Sequence, residues 1–498
     1  MYIRDKDYTY IPDPHVEKNI FLTREVEDKA LPTYKDAENK LPLPIWEGHK
    51  DAIDCYNKAW QIAFSNLRQP VKESGLISNF IDTAFNGFTF MWDSSFMMMF
   101  GKYAGEIFNF QRTLDNFYAK QHKDGFISRE ICETENGEQF HRHDPSSTGP
   151  NILAWCEWEY YNTTGDISRI KDVFDPLFAY YNWIKANRTW PNGLYWTTGW
   201  GCGMDNQPRQ EAHYRPEFSH GHMVWLDATV QQIMSAKLLI KMAEILDRVD
   251  ETKELQEEID FLTKQVNELL WDEKSSYYYD MWRNGELNYV KTIGAYWTLI
   301  ADIVPSERIA PFVAHLDNEN EFKRPHRVPT LSADHPSYKE NGDYWCGGVW
   351  APTNYMVLKG LDRIGYNDLA YEIAENHVKN VVDVFLKTGT LWENYAPELV
   401  DHGNPAAKDF VGWTGIVPIA VLFEYVFGIR PNAKENKIVW YVNRTEKHGV
   451  MRYPFGNTTY DIICEARNKG EKPNISVVGD APVTVELHWD GNVETLSF

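Results

Sequence analysis

Three carboxylates keep company that surface acids seldom have. Asp205 lies in WGCGMDNQPR (200–209), Glu393 in GTLWENY (389–395) and Asp93 in FMWDSSF (90–96). The chain carries 72 Asp and Glu, so an acid taken at random is a solvated surface group. These three sit instead among tryptophans and glycines, in segments that read as loops or loop ends. Asp205 and Glu393 are far apart in the chain, and only the fold can bring them together. Two carboxylates flanking a bound sugar divide the labour: one stays protonated and donates to the leaving oxygen, while the other, ionised, activates water from the opposite face. Aromatic, water-poor walls raise the pKa of the proton donor toward neutrality.

The elements that must position such acids are legible in the apolar spacing. Twelve stretches with helical periodicity run at about 49–66, 93–104, 106–121, 147–162, 167–187, 222–248, 250–271, 292–303, 305–317, 349–364, 367–387 and 413–428. Between them, strand-like alternation is nearly absent. Six long Gly-, Trp- and Pro-rich connections (67–92, 122–146, 188–221, 272–291, 318–348 and 388–412) alternate with short ones. That alternation predicts an all-α (α/α)6 barrel, in which six inner helices each pair with an outer one and the long loops share one rim. An irregular helical array is the rival arrangement, but no repeat of fixed period is present. The expected organisation is an extended Pro-rich segment over 1–45, a catalytic barrel over 46–431 and a small β domain over 432–498. The last rests on KIVWYVN, YDIICEA, ISVVG and VTVELHW.

Composition narrows the partner. Aromatic residues make up 14% of the chain, with 19 Trp and 28 Tyr, which suits a small carbohydrate stacked on rings. A net charge of −22 and the lack of a Lys/Arg cluster exclude nucleic acid and anionic membrane as partners. The six cysteines show no CxxC, and the groups H-R-H (141–143) and H-G-H (220–222) lack helical ligand spacing, so neither a metal nor another cofactor is expected. No apolar run of about 18 residues occurs, and a soluble protein is expected. It would be cytoplasmic, or periplasmic or secreted if a signal was removed. Five N-x-S/T sequons do not decide the compartment, and composition is compatible with a monomer or a homo-oligomer.

WGCGMDNQPR resembles the general-acid loop of the (α/α)6 glycoside hydrolases related to trehalase, family 63 α-glucosidases and mannosylglycerate hydrolase. In that loop a Gly-x-Asp core is followed by a small or polar stretch and an Arg. GTLWENY resembles the general-base segment of the same group. MWDSSFM, CGGVWAPTNYMVLKGL and FVGWTGIV resemble three further segments in the same order, so the likeness spans residues 91 to 415. Two departures stand out. Trp200-Gly201-Cys202-Gly203 replaces a Glu-Ser-Gly run, and NGFTFMWDSS lacks the Gly-Gly-Arg-Phe run of trehalases, which argues against a strict trehalase.

The resemblance implies Asp205 as general acid and Glu393 as general base. The bland alternatives are an Asx-turn for Asp205 and a rim salt bridge for Glu393. Trp92 and Asp93 would line the subsite of the cleaved sugar, unless Asp93 caps its own helix. Arg209 would reach into the site or form a structural ion pair. Gln121 and His122 open a long loop beside the pocket. Trp350, Asn354, Tyr395 and Trp413 are candidate pocket aromatics or hydroxyl partners, or else core. Together these imply an inverting hydrolase of α-linked glycosides, of the α-glucoside type above all. A glycoside phosphorylase would not need Glu393, and a non-catalytic sugar-binding protein would lack one of the two acids.

Overall fold

The structure is a computed structural model that describes residues 3–4, 9–26, 29–210 and 215–498. Each of the twelve periodic stretches contains a helix. They are α1 (Lys50–Ser65), α2 (Met91–Gly101), α3 (Phe110–Leu114 continuing as Asp115–Ala119), α4 (Leu153–Thr164), α5 (Ile167–Asn187) and α6 (Leu226–Ile245). Then follow α7 (Lys253–Leu269), α8 (Ile293–Tyr296 continuing as Trp297–Ile300), α9 (Ser306–Val313), α10 (Ala351–Arg363), α11 (Asn367–Thr388) and α12 (Trp413–Ile416 continuing as Val417–Val426).

Two burial patterns separate these helices. In α7, Leu255, Ile259, Leu262 and Val266 form one buried stripe and the remaining face is polar, the mark of a helix lying on the outside. Burying each of those side chains contributes about 1.5–3 kcal/mol. In α2, Trp92, Phe96, Met97, Met98, Met99 and Phe100 are buried on every side, and in α12 the whole stretch Val417–Val426 is buried. Such helices have no solvent face. The contacts match: α2 touches α4, α4 touches α6, and the chain of contacts runs on through α8, α10 and α12 back to α2. Outside this cycle, α5 packs on α4 and α6, α7 on α6, α11 on α10 and α12, and α1 on α11 and α12.

The interior of the ring is not wholly apolar. Glu424 of α12 accepts hydrogen bonds from Tyr103 Oη and Tyr355 Oη at 2.8 Å, and ion pairs with Lys102 and Lys359 at 2.9 Å. Burial alone would push its carboxyl up, but the two ammonium groups overcome this and hold it down at about 2. A buried charge of this kind is tolerated only because its partners are complete.

The C-terminal part forms two four-stranded sheets from β1 (Leu43–Trp46), β2 (Ile429–Asn432), β3 (Lys437–Tyr441), β4 (His448–Phe455), β5 (Thr458–Cys464), β6 (Ile475–Gly479), β7 (Thr484–Trp489) and β8 (Asn492–Ser497). One sheet has the order β2-β3-β7-β8 and the other β6-β5-β4-β1. Alternate residues point inward, as with Ile438 and Trp440 of β3. The N-terminal segment departs from the expected extended lead. Its Leu43–Trp46 pairs antiparallel with His448–Met451 and so becomes an edge strand of the C-terminal sheet. Earlier in the same segment, Asn19 Nδ2 donates to Tyr118 O at 3.0 Å and Arg24 reaches Asp172 at 2.9 Å, which straps it to α3 and α5. The long connections also contain short ladders that periodicity does not show, among them Phe88–Phe90 paired with Glu130–Cys132. Among the described residues no helix is long and apolar enough to cross a membrane.

Candidate active site

At the end of the ring where α2, α4, α6, α10 and α12 begin, the loops close around a cavity of about 290 Å³. Five of the six long connections supply its lining, the fourth (272–291) supplying none: Thr83 and Phe90, Arg129, Trp200 and Asp205, Tyr344 and Trp345, and Glu393, Ala407 and Phe410. Trp92 and Asp93 enter from the start of α2, and Trp413 from the start of α12.

The glycines around Asp205 are explained by what they touch. Gly203 has φ +77°, and a Cβ there would lie 2.9 Å from the indole of Trp92. Glycine adopts that backbone without strain, and having no Cβ it accepts a ring at that distance. A Cβ on Gly201 would meet Thr197 Oγ1 at 2.4 Å. The loop is fixed on its other side by Asn206, which donates to Asp343 O and accepts from Trp345 N, both at 2.9 Å. Asp205 therefore sits between Trp92 and the 343–346 segment on a loop tied at both shoulders. Among the described residues its carboxyl makes no hydrogen bond to its own loop, so it does not serve as an Asx-turn.

Burial pushes the Asp205 carboxyl up, Arg129 opposes this, and nearby Glu393, Glu130 and Glu217 add to it, leaving it at about 7. Arg129 is shared: it pairs with Glu130 at 2.5 Å and donates from Nε to Ser146 O at 2.7 Å. Glu393 is held differently. Its Oε1 accepts from Tyr344 Oη at 2.9 Å and its Oε2 from Ala407 N at 2.9 Å, while its backbone carbonyl accepts from Trp413 Nε1 at 2.8 Å. Burial pushes Glu393 up as well; the Ala407 amide and Tyr344 hydroxyl, which favour the ionised form, offset only part of this, and the carboxyl stays above its ordinary value. Its partners are thus an amide and a hydroxyl, in place of a rim salt bridge. Asp93 is the third residue of α2, where Phe90 occupies the N-cap position, so it does not cap the helix. Burial raises its carboxyl well above the usual range, and Glu393, Asp82 and Asp205 reinforce this.

The cavity brings together Asp205, Glu393, Trp92, Asp93 and Trp413. The other candidates lie behind its wall. Arg209 is wholly buried, pairs with Asp227 at 2.5 Å and with Asp280 at 2.7 Å, and lies over Trp225; it is the structural ion pair, anchoring the end of the Asp205 loop to the start of α6. Gln121 accepts from Asn19 and donates to Gly125 O and Pro176 O, so its amide is spent tying down the N-terminal segment. Its neighbour His122 pairs with Glu138. Asn354 bonds both the amide and the carbonyl of Val328. Tyr395 Oη accepts from Trp392 N. Trp350 stacks on Trp345 with ring centroids 3.8 Å apart and supports that wall from behind. No residue of H-R-H or H-G-H lines the cavity. His15, Asp175 and Glu251 approach one another elsewhere, but Arg248 occupies both oxygens of Asp175.

Sequence reasoning passed over Tyr344, Trp345, Arg129, Trp200 and Phe410. Trp200 stood inside the quoted WGCGMDNQPR and Phe410 at the start of FVGWTGIV, and an aromatic within such a segment was the available signal; Arg129 lies in the long loop that Gln121 and His122 open. Tyr344 and Trp345 had only their adjacency to CGGVW.

A closed ring of helices with carboxylates in an aromatic cavity at one mouth is the setting of an enzyme acting on sugars. Comparison with known proteins gives the class directly: the mannosylglycerate hydrolase MGH1-like glycoside hydrolase domain matches residues 87–413, and the chain belongs to that family of glycosidases. An uncharacterized protein of Borreliella burgdorferi is 26% identical over 448 residues, covering 87% of this chain and 91% of its own. A probable mannosyl-oligosaccharide glucosidase of Schizosaccharomyces pombe is 24% identical over 292 residues, 51% of this chain and 35% of that protein, so the chain spans about a third of its length. Among solved structures, the mannosylglycerate hydrolase of Thermus thermophilus, in complex with glucose, superposes with a TM-score of 0.59 at 19% identity over 73% of this chain and 99% of that one. Neutral trehalase from Saccharomyces cerevisiae gives 0.54 at 13% identity, over 69% and 73%. These likenesses show the fold of the helical ring.

Proposed function

We propose that this chain is an inverting glycosidase on an (α/α)6 barrel that hydrolyses short α-linked glycosides. The observation that carries the reading is that Asp205 and Glu393 line one aromatic cavity in unlike surroundings. Asp205, with no hydrogen bond donor on its carboxyl among the described residues and a pKa raised to about 7, keeps its proton on a large share of molecules at neutral pH, as an ordinary aspartate does not. Glu393, gripped by two donors, is the member better able to ionise. Asp205 gives its proton to the glycosidic oxygen as the bond from that oxygen to the anomeric carbon breaks. Glu393 takes a proton from the water that attacks the opposite face, and a single displacement results. Asp93 accepts sugar hydroxyls, and the rings of Trp92, Trp345 and Trp413 pack on the sugar's C–H faces.

The cavity volume suits one pyranose ring and a small aglycone better than a long chain. The names of the relatives point to mannosylglycerate and to glucosyl linkages as first substrates. A screen of mannosylglycerate, trehalose, other α-linked disaccharides and aryl α- and β-glycosides tests this, with turnover expected among the α-linked compounds. Failure on every α-linked member would overturn the reading. Turnover that required phosphate would make the enzyme a phosphorylase.

A further inference from the structure

We propose that the opposite end of the helical ring carries a separate binding site for a phosphate-class oxyanion, held by Lys241 and Lys237 beside Trp158. The site is a second cavity, of about 220 Å³, framed by the later turns of α4, α6 and α10, the end of α8 and the start of β2. It is distinct from the carboxylate cavity, which is built where the inner helices begin.

The charge on its walls runs against that of the whole molecule. The chain has a net charge of −22, yet this cavity is lined by Lys237, Lys241, Lys359, Arg363 and Arg430 against Glu159 and Asp362. Most of those cations are already committed. Lys359 pairs with Glu159 at 2.7 Å and with Glu424 at 2.9 Å, Arg430 pairs with Asp362, and Arg363 with Asp302 at 3.0 Å. Lys237 donates to the carbonyls of Ala301 and Asp302 at 2.7 and 3.1 Å, which is how a lysine closes a helix C-terminus.

Lys241 has no such employment. Among the described residues no carboxylate lies within ion-pair distance of it, and its ammonium stands 5.5 Å from the ring centre of Trp158. A half-buried ammonium beside an aromatic face, with no carboxylate at ion-pair distance among the described residues, is costly to keep charged. Burial pushes it below its ordinary value, and Arg363, Lys434 and Lys237 push further in the same direction. An oxyanion seated between Lys241 and Lys237 relieves that repulsion with charge-assisted hydrogen bonds, while Trp158 offers a flat wall to any ring the oxyanion carries.

The test is thermal unfolding and calorimetric titration of the whole chain with inorganic phosphate, against sodium chloride at equal ionic strength, and with glucose 6-phosphate as the ester. Phosphate should raise the Tm and bind with one-to-one stoichiometry. Lys241→Gln should weaken binding by about tenfold, the loss of one charge-assisted hydrogen bond. Lys241→Arg should keep most of the binding and guards against a folding defect in the glutamine variant. Asp205→Asn should bind phosphate as the wild type does, since the site lies away from the carboxylate cavity. Tighter binding of the ester would identify a phosphorylated sugar as the occupant, and equal binding the free ion. Equal Tm shifts with phosphate and chloride would overturn the proposal. So would unchanged affinity in folded Lys241→Gln, or loss of binding in Asp205→Asn.

Discussion

Tyr344 offers the sharpest perturbation of the acid–base pair, because it touches Glu393 by one hydrogen bond and leaves both carboxylates in place. Its Oη donates to Glu393 Oε1 at 2.9 Å and so favours the ionised carboxylate. Tyr344→Phe removes that donor. A hydrogen bond to a charged group is worth about 1.5–3 kcal/mol, and about 1.4 kcal/mol corresponds to one pKa unit, so the Glu393 pKa should rise by roughly 1–2 units. If Glu393 is the base, it works only when ionised. The acid limb of the kcat/KM profile should therefore move to higher pH by that amount, while the basic limb, set mainly by Asp205 at about 7, should move less. Because the two acids interact, both limbs are properties of the pair, and the comparison is between profiles of the two proteins. Initial rates across a pH range of about 4–9 with one aryl α-glycoside read this directly. An unmoved acid limb with only a raised KM would mean that Tyr344 contacts the sugar and does not tune Glu393, and the assignment of the base would lose its support.

Gly203→Ala should fold but lose activity by about tenfold or more, since its new methyl group would press on the Trp92 ring from a backbone at φ +77°, a strain on the order of 1–3 kcal/mol; kcat/KM and the melting curve together check this. Arg209→Met leaves Asp227 and Asp280 buried without their partner and should cost about 3–5 kcal/mol of stability, read by urea unfolding, although Arg209 lines no part of the cavity. Glu424 has its folded pKa lowered to about 2 against an ordinary 4.5, so its stabilisation is full above about pH 4.5 and disappears as pH falls through about 2. Glu424→Gln should be less stable at neutral pH, and its Tm should fall less steeply than the wild type's between about pH 4.5 and 2.

The helices were readable because apolar spacing is a local signal, whereas which of them lie outside, like α7 with one buried stripe, and which inside, like α2 buried all round, emerged from the structure. Strand β1 was not readable: its partner β4 lies some four hundred residues later, and pairing at that distance leaves no mark on Leu43–Trp46. In the site, Asp205, Glu393, Trp92 and Asp93 were picked out by segments whose glycines and aromatics crowd an acid, and Trp413 by the resemblance of FVGWTGIV. Trp350, Asn354 and Tyr395 stood in equally conspicuous motifs and yet point into the core. Membership of a motif places a backbone near the rim without saying which way the side chain turns. Trp350 forms the N-cap position of α10 with its indole bonded to Tyr344 O at 3.1 Å, and Asn354 lies one turn further in. Tyr344 and Trp345 were missed because the 318–348 loop approaches the cavity only after Asn206 staples it to the Asp205 loop, a contact between distant segments.

Activation of water by Glu393, as opposed to attack by Glu393 itself, is reported by the stereochemistry of the first product. Proton NMR during the first minutes of hydrolysis of an α-linked substrate, before mutarotation, should show the β-anomer appearing alone. Asp205→Asn and Glu393→Gln should each fall below about a tenth of the wild-type kcat, and no glycosyl-enzyme should be detected by mass spectrometry. An α-anomer as the first product, or a covalent adduct on Glu393, would contradict it.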